Sequence, residues 1–356
     1  MRPRPRWGIV ALMFCGCGEP DPAQLPPGPP PPTTFPWGSG GVGAEGDADT
    51  DSDADTDTDT DTDTDTDPVL DTGYIVIDCG NLPEAVFIDK LDVQPEEDFD
   101  FDGDGYLIFQ DVSNLAGVNR AGHSKIIAAN VSIDPSGVQV NSKSEILVGA
   151  QDSGGIKLVN PATGGSETII GGLTQPNGIE IGEADRVYFT EFTTNGRVRW
   201  IDPETGEQGT IMEDTNLPNG IVLSLDEQTL YVGGEAGGTP SILAFDRLGP
   251  DEWDPIPSVL FEGGVSSNFD AVEVDECGNV YTIEYSDGRL IRVSADGLTV
   301  TELLTIDAAG YNEFNSLRWG NGIGGWRRDT LYITNRLWVW EVRLFVKGKS
   351  HPLTPD

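Results

Sequence analysis

Histidine is nearly missing from this chain, with two in 356 residues, and cysteine and methionine number only four and three. The two histidines, His123 and His351, have no second His or free Cys at ligand spacing, which excludes a histidine-built zinc centre. Basic residues are scarce as well: 21 Lys and Arg stand against 60 Asp and Glu, a net charge of -39. Phosphates are held by clustered Lys and Arg, so nucleic acid is excluded as a partner, as is an anionic lipid surface met through a basic face. The apolar run Trp7 to Phe14 is too short to span a bilayer. Sustained 3.6-residue periodicity, the mark of long helices, is absent beyond Tyr74.

What the first 71 residues do contain is a leader and a spacer. Arg2, Arg4 and Arg6 precede the apolar run in the layout of an export signal. Phe14-Cys15-Gly16-Cys17 then resembles a bacterial lipobox, and Cys17, behind a small residue, fits the lipidated position better than Cys15, behind Phe14. The plain alternative is an ordinary signal peptide with incidental cysteines. Pro and Gly dominate from Glu19 to Gly46, after which eleven aspartates alternate with Thr, Ser or Ala from Asp47 to Asp67. Taking those eleven from the net charge of -39 leaves -28, still strongly acidic. Period two imitates a strand, but like charges repel and nothing apolar is available to bury, so the tract predicts a solvated, extended tether.

The chain therefore divides into a lipoprotein-type signal peptide over 1–17, a disordered linker over 18–71 and one folded domain over 72–356. The expected location is the cell envelope, with membrane contact through a lipid on Cys17 only. Cys79 and Cys277 are the cysteines left in the domain. In an oxidising compartment they either pair, tying the start of the domain to a later repeat, or stay as two buried thiols.

The domain is written in short Val/Ile/Leu/Tyr-rich runs between Gly, Asn and Asp, an all-β signature. Aligned, the runs give six units starting at Glu97, Gly137, Asn177, Asn219, Asp270 and Asn315, spaced by 40, 40, 42, 51 and 45 residues. A repeat of this length with three or four strands is a propeller blade, because each sheet buries its faces only against neighbouring blades. The fold predicted is a six-bladed β-propeller. The run Ala85 to Leu91 precedes the first unit and is expected to add an edge strand to the last blade, which closes the ring.

The innermost strand of each blade lines the axis, so the six opening residues converge. Two carboxylates and several amide oxygens suit a hard divalent cation, which takes six to eight oxygens. The bland alternative is that Asn, Asp and Gly make the turn into each inner strand. A second grouping, Asp100, Asp102, Asp104 and Asp111, has the spacing of a calcium loop; it reads either as a second calcium site or as the turn between two blade strands. Gly320 to Trp326 lacks the Lys and the helix of a phosphate loop and reads as an extended turn in the last blade. Ser124 and Ser316 have no His beside them for a nucleophilic triad.

Leu217-Pro-Asn-Gly-Ile-Val-Leu-Ser-Leu-Asp-Glu-Gln-Thr-Leu-Tyr-Val232 resembles the signature strand pair of the SMP-30/gluconolactonase family, and Gln175-Pro-Asn-Gly178 repeats it one blade earlier. The resemblance runs from about Glu84 onward. It implies a metal held by Glu97, Asn177, Asn219 and Asp270, most simply Ca²⁺, with Mg²⁺ or Mn²⁺ as alternatives. It further implies hydrolysis of a lactone or related ester, with Asp270 also activating water. The pattern departs from the family at Glu-Asp-Phe-Asp-Phe after Glu96, where Glu96 rivals Glu97. It departs again at Gly137, which has no ligating side chain, and at Gln175, where sugar-lactone members often carry a basic residue. The rival function is a non-catalytic propeller binding a carbohydrate, peptide or protein.

Overall fold

The computed structural model describes residues 77–264, 268–308 and 310–354. The signal peptide, the linker and Cys17 lie outside them. Among the described residues no helix is long and apolar enough to cross a membrane.

Strand β1 (Val86–Leu91) comes first, and then the chain lays down six antiparallel sheets in order. Blade 1 holds β2 (Phe99–Phe101), β3 (Tyr106–Asp111), β4 (Asn114–Asn119) and β5 (Ser124–Ala128). Blade 2 holds β6 (Pro135–Val140), β7 (Ile146–Ala150), β8 (Gly155–Asn160) and β9 (Gly165–Gly171). Blade 3 holds β10 (Pro176–Ile181), β11 (Val187–Glu191), β12 (Gly196–Ile201) and β13 (Gln208–Thr215). Blade 4 holds β14 (Ile221–Leu223), β15 (Thr229–Ala236), β16 (Thr239–Gly249), the short β17 (Glu252–Trp253) and β18 (Ser258–Glu262). The extra strand accounts for the long 51-residue spacing there. Blade 5 holds β19 (Phe269–Val274), β20 (Val280–Glu284), β21 (Arg289–Val293) and β22 (Val300–Thr305). Blade 6 holds β23 (Ser316–Trp319), β24 (Thr330–Thr334) and β25 (Val339–Arg343). The expected closing strand is present: β1 pairs antiparallel with β25, from Val86 opposite Arg343 to Leu91 opposite Val339.

Strands β2, β6, β10, β14, β19 and β23 pack side by side in a ring, β23 meeting β2. The buried apolar side chains fall into six clusters, each shared by two adjacent blades. This is what the pattern dictates, since a β-sheet with apolar side chains on both faces is stable only between two others. At the closing interface Phe101 meets Trp326 and Tyr332, each at 5.1 Å between ring centroids. Trp326 also donates its indole N–H to the Gly105 carbonyl at 2.9 Å, so the glycine-rich turn over Gly320 to Trp326 locks blade 6 to blade 1. Gly324, at φ +62°, is needed there because a Cβ would sit 2.5 Å from the Gly105 Cα.

Cys79 and Cys277 form a disulfide with Cα atoms 5.6 Å apart. It joins the segment before β1 to the β19–β20 turn of blade 5, which decides between the two states left open by the sequence.

Candidate metal centre at one mouth of the axis

The repeat starts do more than turn the chain. Asn177 and Gly178 lie inside β10, and neither Gly178 nor Gly220 has positive φ. The glycines serve close approach: a Cβ on Gly137, Gly178 or Gly220 would lie 2.4, 2.3 or 2.5 Å from the carbonyl oxygen of Asn177, Asn219 or Asp270 in the next blade. Each Asn-Gly pair thus lets one inner strand press against the following one, and the Gly220 N–H donates to the Asp270 carbonyl at 2.7 Å. Turn chemistry, the bland alternative, does not describe these positions.

That packing brings Glu97, Asn177, Asp270 and Asn315 to the wall of a single cavity of about 30 Å³. Asn219 joins them, its side chain within hydrogen-bonding reach of the Asp270 carboxylate. Gly137 also lines the cavity, through backbone alone. Of the rival glutamates, Glu97 faces the cavity, whereas Glu96 accepts the Val112 N–H at 3.1 Å on the edge of blade 1. Gln175 is exposed at φ 48° and does not line the cavity. Arg336 donates to Glu97 Oε2 at 2.5 Å and stands at φ 69°, and Arg318 borders the cavity itself.

The electrostatics are those of a site short of positive charge. Burial raises the Asp270 carboxyl well above its ordinary range, and the negative charge of Glu97 raises it further. Burial likewise raises Glu97 against the opposing pull of Arg336. Tyr285 is pushed up to about 12, by burial first and then by Glu313, and keeps its phenolic proton. Two amide oxygens complete the picture: Oδ1 of Asn219 and Oδ1 of Asn315 are buried with no hydrogen-bond partner. Asn315 uses its Nδ2 to donate to Glu97 at 3.4 Å.

An orphaned buried acceptor costs about 1–3 kcal/mol, and paired carboxylates repel. A hard divalent cation relieves both, so the residues present fit one. Asn315 was legible as a repeat start but stands outside the four-residue ligand set that the resemblance implies.

The calcium-loop spacing at Asp100 does not gather its residues. Asp100 faces the axis, accepting the Phe101 and Val140 N–H groups at 2.8 and 2.7 Å. Asp102 Oδ1 accepts from the Asp104 and Tyr106 N–H groups, and its Oδ2 from Lys125 Nζ at 3.2 Å. Lys125 also lies 3.7 Å from Asp104, and Asp111 is exposed at the far end of β3. In this structure the spacing forms a blade turn, with Lys125 beside Asp102 and Asp104.

Below the cavity the axis is blocked. Arg318 donates to Asp98 Oδ2 at 2.8 Å and to Glu273 Oε1 at 3.1 Å, fully inside the protein. Burial opposes the guanidinium charge, and Asp98 and Glu273 overrule it. Ser316 donates its hydroxyl to Asp98, and Ser124 lies exposed on β5. His351 sits beyond the block, its Nε2 3.2 Å from Asp100 Oδ1.

Solved structures with this architecture include a gluconolactonase from Xanthomonas campestris, 18% identical, covering 74% of this chain and 95% of its own, with a TM-score of 0.60. Regucalcin from Agrobacterium tumefaciens, described as a calcium-binding protein, is 16% identical, with 76% and 98% covered and a TM-score of 0.61. The chain shares their fold. A luciferin-regenerating enzyme, 15% identical, superposes over 76% of this chain and all of its own with a TM-score of 0.58. No protein-family model matches the chain, and no curated protein matches it by sequence. Identities this low carry the six-bladed arrangement and nothing about chemistry.

Proposed function

We propose that this propeller is a divalent-cation-dependent hydrolase of a lactone or related ester, acting at the cell envelope through an anchor on Cys17. The carrying observation is the convergence of Glu97, Asp270 and two partnerless amide oxygens, of Asn219 and Asn315, at one mouth of the axis. Glu97, Asn177, Asn219 and Asp270 hold the cation, with Asn315 a further oxygen donor, and Ca²⁺ suits an all-oxygen set best. When bound, such an ion polarises a carbonyl oxygen and stabilises the negative charge that develops on it. Asp270 takes the proton from the attacking water. Arg336, half-exposed beside Glu97, and Tyr285, protonated, stand at the rim, where they can orient an incoming oxygen-rich substrate. A gluconolactonase among the structural neighbours shares this fold, and a small cyclic ester is the substrate proposed.

The test is calorimetric titration of Ca²⁺ with turnover of a lactone panel, for the wild type and Asp270→Asn. We expect one bound ion, hydrolysis abolished by chelation, and a loss of at least about 10³-fold in the variant. Tight cation binding with no turnover of any ester would instead make the chain a binding propeller. Cys17→Ala is expected to release the protein from membranes, read by fractionation.

A further inference from the structure

We infer that the opposite mouth of the axis is a second ligand site, shaped for a small organic molecule carrying a primary ammonium group. The site stands independently of the hydrolytic reading and shares only Arg318 with the cavity above. Its volume is about 360 Å³, with Asp100, Gln139, Glu180, Val222, Glu273 and Arg318 contributed by the six inner strands. Lys349 and His351, from the segment after β25, also border it.

Three observations point to the ligand. First, the protein itself places an ammonium here: Lys349 Nζ donates to Glu180 Oε1 at 2.6 Å. The Leu223 N–H donates to the same oxygen at 3.1 Å, so Glu180, 6% exposed, keeps Oε2 without a partner among the described residues. Second, Gln139 is also only 6% exposed and borders the cavity, yet its side-chain amide makes no hydrogen bond to any described residue. Facing the cavity, that amide offers a ligand both a donor and an acceptor. Third, carboxyl groups are plentiful around the space: Asp100, Glu180, Glu183, Asp185 and Glu227 border it beside Arg318 and Lys349, with Lys143 and Arg247 3.9 Å from Asp185 and Glu227.

The room left over, together with Ile181, Val222 and Trp319 in the wall, accommodates a methylene chain.

The experiment is calorimetric titration of the Ca²⁺-saturated full chain with 1,5-diaminopentane, and with 1,5-pentanediol as the uncharged analogue. The diamine is expected to bind saturably and the diol not at all. Glu180→Gln and Gln139→Leu should each weaken the diamine by about tenfold or more. Lys349→Met should strengthen it, since the internal ammonium no longer competes, and Gln139→Glu should do the same. Near-UV circular dichroism establishes that each variant is folded. Absence of saturable binding to both wild type and Lys349→Met overturns the inference. So do affinities unchanged by Glu180→Gln and Gln139→Leu, or equal binding of the diol.

Discussion

The two mouths of the axis are built from the same six strands and solve opposite problems. At the mouth where the inner strands begin, carboxylates and amide oxygens crowd a space of about 30 Å³, with Arg336 the cation paired to Glu97. Where those strands end, the space is roughly ten times larger, Arg318 and Lys349 pair with Glu273 and Glu180, and His351 stands 3.2 Å from Asp100. One mouth leaves acceptors open for an ion from outside, and the other brings much of its positive charge from its own chain. Each mouth thus keeps polar groups open, an ion-sized set at the first and the Glu180 and Gln139 side chains at the second, while Arg318 between them is paired.

Substitutions can break this contrast or sharpen it. The largest expected effect is at Arg318, the divider. Arg318→Met leaves Asp98 buried without a counter-charge and Glu273 without its hydrogen-bond donor, and should cost about 3–5 kcal/mol in urea unfolding. Asp270→Asn should do the reverse at the first mouth: cation affinity falls at least about tenfold, while the cation-free melting temperature rises, because a buried, repelled carboxylate is gone. A melting temperature that falls with the ion absent would refute the picture of a strained first mouth. Gly178→Ala drives a Cβ to 2.3 Å from the Asn219 carbonyl. It should lower stability by about 1–3 kcal/mol and weaken the cation without altering diamine binding.

Glu273 sharpens the contrast through pH. Burial raises its carboxyl from 4.5 to about 8, with Glu180 adding to the rise and Arg318 opposing it. The folded state thus binds this proton more tightly than the unfolded chain. Its contribution is complete below pH 4.5 and is lost as pH climbs through about 8. Unfolding free energy measured at pH 5 and pH 8.5 should decline, and Glu273→Gln should flatten that decline. Lys349→Met, which strips the counter-charge from one buried carboxylate, should cost less than Arg318→Met in the same urea unfolding.

The blades were legible because strand runs, turns and the forty-residue repeat are local signals, and the closing strand was legible because a ring needs one. The converging residues followed from the repeat starts, and the Asn-Gly pairs marked where strands press together. What escaped is long-range. Nothing local in Ser-Leu-Arg-Trp says that Arg318 will reach Asp98, 220 residues away in sequence. Lys349 and His351 likewise look like tail residues until the chain folds back under the ring. Asp100, one of the four aspartates left open between a calcium site and a blade turn, is placed by a contact of the same long-range kind, as is its neighbour Asp98. Asp98 and Asp100 bridge to the Val138 and Val140 N–H groups of the next inner strand, each exactly one repeat of 40 residues on, where splayed strands have no backbone ladder. Composition alone cannot separate that from a loop that wraps an ion.

The disulfide precedes β1 in the chain, and this order has a mechanical meaning. Tension arriving from the residues before 77 reaches Cys79 first and passes through the covalent bridge into blade 5 at Cys277. The hydrogen bonds between β1 and β25, the seam of the ring, lie downstream and are shielded from that pull. Reducing conditions would shift the load onto the seam, turning a ring that resists traction into one that can be unzipped from its first strand.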